Sequence, residues 1–284
     1  MKKNTKPVDL LLITWNRREY LEKTIDNLLA DPTDFRLYCW DNASEDGTQD
    51  IIASLNDPRI VKKHFSKENI KQRAPTLWFF EEAKSDVVGK IDDDILLPHG
   101  WTDVIAPLIR DNNQFGRLSC WNYMEDDWDE ELAANKIIDV NGTKIFQNMW
   151  VGGTSFLSRL DHLTPFIQPE NMGYGFPIDQ YSMTKAGLIN GYPLPMLFAH
   201  HMDDPRSKHC LMNKTGVVGE QGSVTARYFG FKDPDEYGRW IADDAKNTLI
   251  EPVKKQIKRV DIQRDQSLTG KVRRKLENKL GWVI

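Results

Sequence analysis

One short stretch places three carboxylates where they would repel one another. In "VVGKIDDDILLPHGW" (residues 87–101), Asp92, Asp93 and Asp94 follow an apolar run. Aspartates in series disfavour a strand and oppose each other's ionisation, so a bound cation is the natural source of compensation. Hard divalent ions such as Mg²⁺ and Mn²⁺ prefer oxygen ligands. They share coordination between one or two carboxylates and the phosphates of a substrate. Asp92-x-Asp94 therefore reads as a metal–diphosphate site. A solvated acidic turn or a helix N-cap cluster is the competing reading, and Asp41, at the end of another apolar run, weighs toward the metal.

The elements that must carry these residues alternate regularly. "VDLLLIT" (8–14) has the unbroken apolar character of a strand buried on both faces. In "RREYLEKTIDNLLA", Leu21, Ile25, Leu28 and Leu29 fall on one helical face. "FRLYCW", "RIVKKHF" and "DVVGKI" read as further strands, separated by helices over "TQDIIASL" and "APTLWFFEEAK", with Pro75 tolerated in a first turn. This is the βαβ pattern of a doubly wound α/β sheet, in which ligands bind outside the carboxyl ends of the strands. Thr14 to Arg17, Asp41-Asn42 and Asp92 to Asp94 all lie at such ends. After about residue 105 the pattern loosens into an α+β half. There "DVNGTKIF" offers a hairpin turn and "PLPMLFAHHM" reads as a strand.

"LLITWNR", "DNASEDGT" and "KIDDDI", in this order and spacing, resemble the inverting nucleotide-sugar glycosyltransferases of family 2, which have the GT-A fold. The resemblance covers roughly residues 7 to 205. It implies a Rossmann-like mixed sheet with a nucleotide-sugar half (1–105), an acceptor half (106–245) and a helical C-terminal tail (246–284). It also implies a donor, by family habit a UDP-sugar, and Mn²⁺ or Mg²⁺ as cofactor. Thr14, Asn16 and Arg17 would border the nucleotide. Asp41 would contact its base, with Asn42 beside it. "ENIKQRAP" resembles the loop before the third helix, with Lys71 where glycine is common, and offers Asn69 and Arg73 to the diphosphate. Asp92 or Asp93 would face the ribose, and Asp94 would ligate the metal. "MWVGGTSFLSR" resembles the segment near the donor sugar, where Gly152 and Gly153 would leave room for the pyranose; a tight turn or bulge is the alternative.

An inverting transfer needs a carboxylate to take the acceptor's hydroxyl proton. "NMGYGFPIDQYSMTKAG" resembles the family's loop-then-helix segment. It makes Asp179 the candidate base, although Ile178 stands where the family has Glu; Asp179 also suits a helix N-cap. Some members complete the metal shell with a His after a later strand. His200 and His201 would point to opposite faces of a strand, and His201, opening a polar loop, is preferred. Asp203, Asp204 and Arg206 are read as loop residues around it. Trp121, Tyr123, Trp128 and Trp150 suggest either an acceptor platform or core packing.

Bulk properties bound these readings. The 284 residues carry a formal net charge of −4, which excludes a nucleic-acid binder by charge alone. Residues 253–284 hold ten Lys or Arg against three Asp or Glu. Leu268, Val272, Leu276 and Leu280 repeat every fourth residue there, with Trp282 near the end. Such a helix suits an anionic membrane surface, docking on the domain, or an oligomer contact. Three cysteines form no even disulfide set, and the first apolar run is too short for a signal peptide or membrane span. A cytoplasmic enzyme is expected, at the inner membrane face if the tail binds lipid. It would extend a glycan or lipid-linked saccharide in cell-surface polysaccharide synthesis. A nucleotidyltransferase is disfavoured because "TWNRREYL" lacks glycine, whereas a non-catalytic nucleotide- or glycan-binding module and a retaining mechanism stay open.

Overall fold

Val8–Thr14 (β1) is buried at every position, as a strand with both sheet faces covered must be. It lies at the centre of the parallel part of the sheet, in register with β2 (Phe35–Asp41) on one side and β4 (Val87–Asp92) on the other. β3 (Ile60–Phe65) adds to the outer edge of β2. The crossovers are α1 (Arg18–Ala30), α2 (Thr48–Ser54) and α3 (Arg73–Glu82). α1 buries Tyr20, Leu21, Thr24, Ile25 and Leu28, the stripe its period predicts. The computed structural model describes residues 6–167, 177–218 and 223–265. The glycine-rich stretch 171–176 and the four-residue repeat 268–280 lie outside the described residues.

Beyond β4 come β5 (Ile95–Leu96), α4 (Trp101–Asp111), β6 (Phe115–Ser119), α5 (Glu130–Ala133), β7 (Ile137–Val140) and β8 (Thr143–Gln147). Then follow β9 (Ser155–Arg159), α6 (Leu160–Leu163), α7 (Pro177–Lys185), β10 (Ile189–Pro193) and β11 (His200–His201). The main sheet has nine strands in the order β3-β2-β1-β4-β9-β6-β10-β8-β7, parallel on the β1 side and mixed beyond β4. This is the mixed α/β architecture expected. β7 and β8 form the hairpin whose turn needs left-handed backbone at Asn141 (φ 54°) and Gly142 (φ 83°), which Asn-Gly supplies at low cost.

The segment "PLPMLFAHHM" departs from its expected strand. The strand lies earlier, at β10, and residues 194–199 make only a single bridge, Phe198 to Trp121, before the two-residue β11. Pro193 and Pro195 cannot donate to a ladder, so continuous pairing ends there. Trp121 is core: it packs with Phe146, Tyr192, Ala245 and Leu249 at no measurable exposure.

The C-terminal helices α8 (Met212–Thr215), α9 (Val224–Phe229), α10 (Pro234–Ile250) and α11 (Val253–Arg264) complete the fold. α10 runs through residue 245 and supplies part of that aromatic core. Gln256 of α11 accepts from Met149 N (3.0 Å) and donates to Asn148 Oδ1 (2.7 Å), so this stretch of the basic tail docks on the domain. Among the described residues no helix is long and apolar enough to cross a membrane.

Candidate active site

Parallel pairing of β1 with β4 sets Ile13 opposite Asp92, so the two strands deliver Thr14 and the aspartate turn to one rim. Thr14 Oγ1 donates to Asp93 Oδ2 at 2.6 Å. The α1 helix starts immediately behind. Arg17, at its N-cap, places Nη1 at 2.5 Å from Asp94 Oδ2 and Nη2 at 2.7 Å from Asp203 Oδ2. Tyr20, one turn into α1, donates to Asp203 Oδ1 at 3.1 Å and accepts from Leu211 N at 2.8 Å. β5 leaves the turn and pairs antiparallel with β11, setting His201 opposite Ile95. His201 Nε2 thereby stands 3.5 Å from Asp94 Oδ2. His200 points away, 2.7 Å from Ser207 Oγ, as alternation along a strand requires.

The charges in this cluster are strongly coupled. Burial opposes ionisation of Asp94, but His201 and Arg17 hold its carboxyl well below the usual range. Burial likewise opposes charge on His201, yet Asp94 beside it raises the imidazole to about 9. Asp93 and Asp203 are both pushed up by burial, with Arg17 opposing. Three nearly buried carboxylates thus face one guanidinium and one imidazolium.

The loops bordering this cluster are stitched together. Asn16, in left-handed backbone (φ 52°), accepts from Glu45 N at 2.7 Å, and its own N–H donates to Ser44 Oγ at 2.9 Å. Asp41 Oδ1 accepts from Ser44 N and Gln49 Nε2. Asn42 accepts from Trp40 Nε1 and donates to Lys71 O, holding the loop that contains Asn69. Asn69 accepts from Lys71 N, and both Asn69 and Arg73 are exposed.

On the other side of the turn, Asp92 is bonded to Lys90, whose Nζ also reaches Gly153 O at 3.3 Å. A Cβ on Gly153 would meet nothing within 4 Å, whereas one on Gly152 would strike Asn122. Gln180 of α7 clamps this glycine loop, accepting from Val151 N at 2.7 Å and donating to Val151 O at 3.2 Å. Its neighbour Asp179 does not join the Asp94 cluster. It is bonded to Arg117, whose level in the sheet is that of Val88, four residues before Asp92. Arg117 also lies over the Phe156 ring, 4.0 Å from its centroid. Burial raises Asp179 to about 6, with Arg117 opposing.

Among the described residues, three buried carboxylate oxygens have no hydrogen-bond partner. They are Asp41 Oδ2, Asp94 Oδ1 and Asp179 Oδ1, one on each carboxylate that the sequence marks for a different role. Buried acceptors are nearly always satisfied, so a ligand or ion is the expected partner. No three His, Cys, Asp or Glu side chains among the described residues gather tightly enough to hold an ion by themselves. Mg²⁺ and Mn²⁺ need fewer, because phosphate and water fill the remaining positions. Asp94 fits that donor set, and His201 joins it once its imidazolium gives up a proton, since only the neutral ring can ligate.

The profile of "Glycosyl transferase family 2" matches residues 9–176, more than half of the chain. The chain belongs to glycosyl transferase family 2. The likeness to solved structures extends further. A mannosyltransferase, PcManGT from Pyrobaculum calidifontis, solved with GDP-Man and Mn²⁺, is 14% identical with a TM-score of 0.54 over 98% of this chain and 81% of that one. S. aureus TarS 1–349 is 13% identical with a TM-score of 0.52, over 70% of this chain and 61% of that one. The same TarS fragment, in complex with UDP-GlcNAc, has a TM-score of 0.51 at 12% identity, over 69% of this chain and 58% of that one. The chain therefore spans about three fifths of that fragment. At these identities the likeness is one of fold. A search of curated proteins returns no match.

The family is one of glycosyl transferases, the class of enzyme expected for this chain. Sequence reasoning placed Asp203 only in the loop around the site and passed over Tyr20 and Lys90. Lys90 was legible, since it and Asp92 share a face of β4. Tyr20 carried no signal, because its partner lies 183 positions away.

Proposed function

We propose that the protein is a metal-dependent, inverting glycosyltransferase. It moves a sugar from a nucleotide-sugar donor, a UDP-sugar, to a hydroxyl of a glycan or lipid-linked acceptor in cell-surface polysaccharide synthesis. The observation that carries this reading is the buried, unpartnered Asp94 Oδ1 beside His201 at the rim of the sheet. Asp94 and His201 would hold Mn²⁺ or Mg²⁺, which supplies charge to stabilise the departing diphosphate. Thr14 fixes the β1 loop against the aspartate turn, and Asn16 fixes it against the loop after β2, where both border the nucleotide. Asp41 offers its free oxygen to the base, Asn42 secures the loop bearing Asn69 and Arg73 beside the diphosphate, and Asp92 and Asp93 lie toward the ribose.

The open side of Gly153 accommodates the sugar, with Gly152 shaping the same loop and Lys90 anchoring it. Asp179 serves as base. Its pKa of about 6 lies close enough to neutrality to accept a proton and pass it on, and Gln180 ties it to the sugar loop. Residues 1–105 bind the donor and 106–245 the acceptor. The basic tail brings the enzyme to the inner membrane face. The test is a thermal-shift panel of nucleotide sugars with Mn²⁺, since native-state binding raises apparent stability by mass action. A UDP-sugar should give the largest shift, and Asp94→Asn should remove the metal-dependent part. No shift with any donor would overturn the reading.

A further inference from the structure

The cation position beside Asp94 is contested from within the chain. Arg17 bridges Asp94 and Asp203 with two nitrogens, at 2.5 and 2.7 Å, and a third contact reaches Asp93 Oδ1 at 3.6 Å. Its guanidinium stacks over the Tyr20 ring, 4.9 Å from the centroid. Tyr20 itself holds Asp203 in place. A single +1 group thus occupies the centre of three carboxylates, yet leaves Asp94 Oδ1 unsatisfied. The Arg17 side chain is 17% exposed, so solvent reaches it.

We infer that Arg17 is a built-in counter-ion that competes with the divalent cation for Asp94 and is released when that cation binds. This rests on the metal site proposed above. A divalent ion offers twice the charge to the same oxygens and can also take Oδ1. The displaced guanidinium then stands at the same rim, free to take an oxygen of the incoming diphosphate, for which its forked geometry is suited. Metal alone must break Arg17 from two carboxylates, whereas metal with donor gives the guanidinium a new anion. Cation binding in the absence of nucleotide is therefore weak, and donor strengthens it.

The test is titration of the full chain with MnCl₂ alone, followed by the EPR signal of free Mn²⁺, in wild type, Arg17→Gln and Arg110→Gln. The contact with Asp94 is a charge-assisted hydrogen bond, the stronger kind, and Nη2 adds an ion pair with Asp203 that lacks hydrogen-bond geometry. Removing Arg17 should thus tighten Mn²⁺ binding by about tenfold or more, tenfold being about 1.4 kcal/mol. Arg110 pairs with Asp86 at the opposite end of the strands, and its variant should bind as wild type does. Arg17→Lys keeps the charge but cannot bridge two carboxylates. It covers the case in which the glutamine variant fails to fold, and it should tighten binding by a smaller factor. Equal or weaker Mn²⁺ binding in the Arg17 variants overturns the inference, as does equal tightening in Arg110→Gln. Asp94→Asn separates the two readings. If it leaves Mn²⁺ binding in the presence of UDP unchanged, the metal site itself is misplaced. If it abolishes that binding while Arg17→Gln changes nothing, only the competition is wrong.

Discussion

The Asp179–Arg117 pair separates a structural role from a chemical one. Both side chains are buried, at 1% and 0% exposure. Breaking such a pair by removing one partner strands a charge in the interior and costs ~3–5 kcal/mol. Arg117→Met should therefore lower stability by that amount, and at ~2–4 °C per kcal/mol the midpoint should fall by roughly 6–20 °C. The double variant Arg117→Met/Asp179→Leu removes both charges and leaves an apolar neighbour, the Phe156 ring that Arg117 covers. Apolar replacement of a whole buried pair is often neutral or better, so most of the loss should return. Urea denaturation of wild type, both single variants and the double gives the cycle, and sugar transfer is assayed on the same samples. A single-variant cost below about 1 kcal/mol would refute the buried pair. A refolded, stable double variant that transfers sugar at the wild-type rate would refute Asp179 as base.

Other outcomes follow from the same geometry. His201→Ala should weaken Mn²⁺ binding in the presence of UDP by at least about tenfold, while His200→Ala, which loses its contact with Ser207 and an edge contact with His209, both outside the Asp94 cluster, should not; calorimetry decides. Asp179 holds its proton more tightly in the folded chain, at about 6, than in the unfolded chain, at about 3.9. Its contribution to stability should thus fall as pH rises from about 4 to about 6 and stay level above, read as the difference between wild type and Asp179→Asn in denaturation at several pH values. Gly153→Val should fold with an unchanged midpoint, because its side chain enters open space, yet raise the KM for donor. Gly152→Val should destabilise the fold through Asn122.

The parallel half of the fold was legible because β1, β2 and β4 are buried on both faces, and their period and composition record that directly, while β3 is the exposed edge strand beside them. The aspartate turn was legible for the opposite reason: three charges ending an apolar run have no packing explanation. Strand alternation lets only one of His200 and His201 face the cluster, and the polar loop that His201 opens sets the preference; the two-residue β11 keeps that alternation. Legibility fails where a partner is far away in sequence. Arg17 read as a nucleotide contact, and nothing local shows that its guanidinium lies between Asp94 and Asp203. Asp179 reads as a candidate base or a helix N-cap, with no sign of its partner, because Arg117 lies on β6, 62 positions earlier. β10 was missed because Asn190 and Gly191 weaken its strand signal. The apolar run after it reads as a strand because Met196, Leu197, Phe198 and Ala199 pack against the core, although they pair only through one bridge.

The most direct test of the metal–diphosphate site is anomalous diffraction at the manganese edge from crystals soaked with MnCl₂ and UDP. The account predicts one strong peak within bonding distance of Asp94 Oδ1 and His201 Nε2 that also touches the diphosphate, with the Arg17 side chain moved off Asp94. A nucleotide bound at the strand ends with manganese elsewhere, or with Arg17 still bridging Asp94 and Asp203, would contradict it.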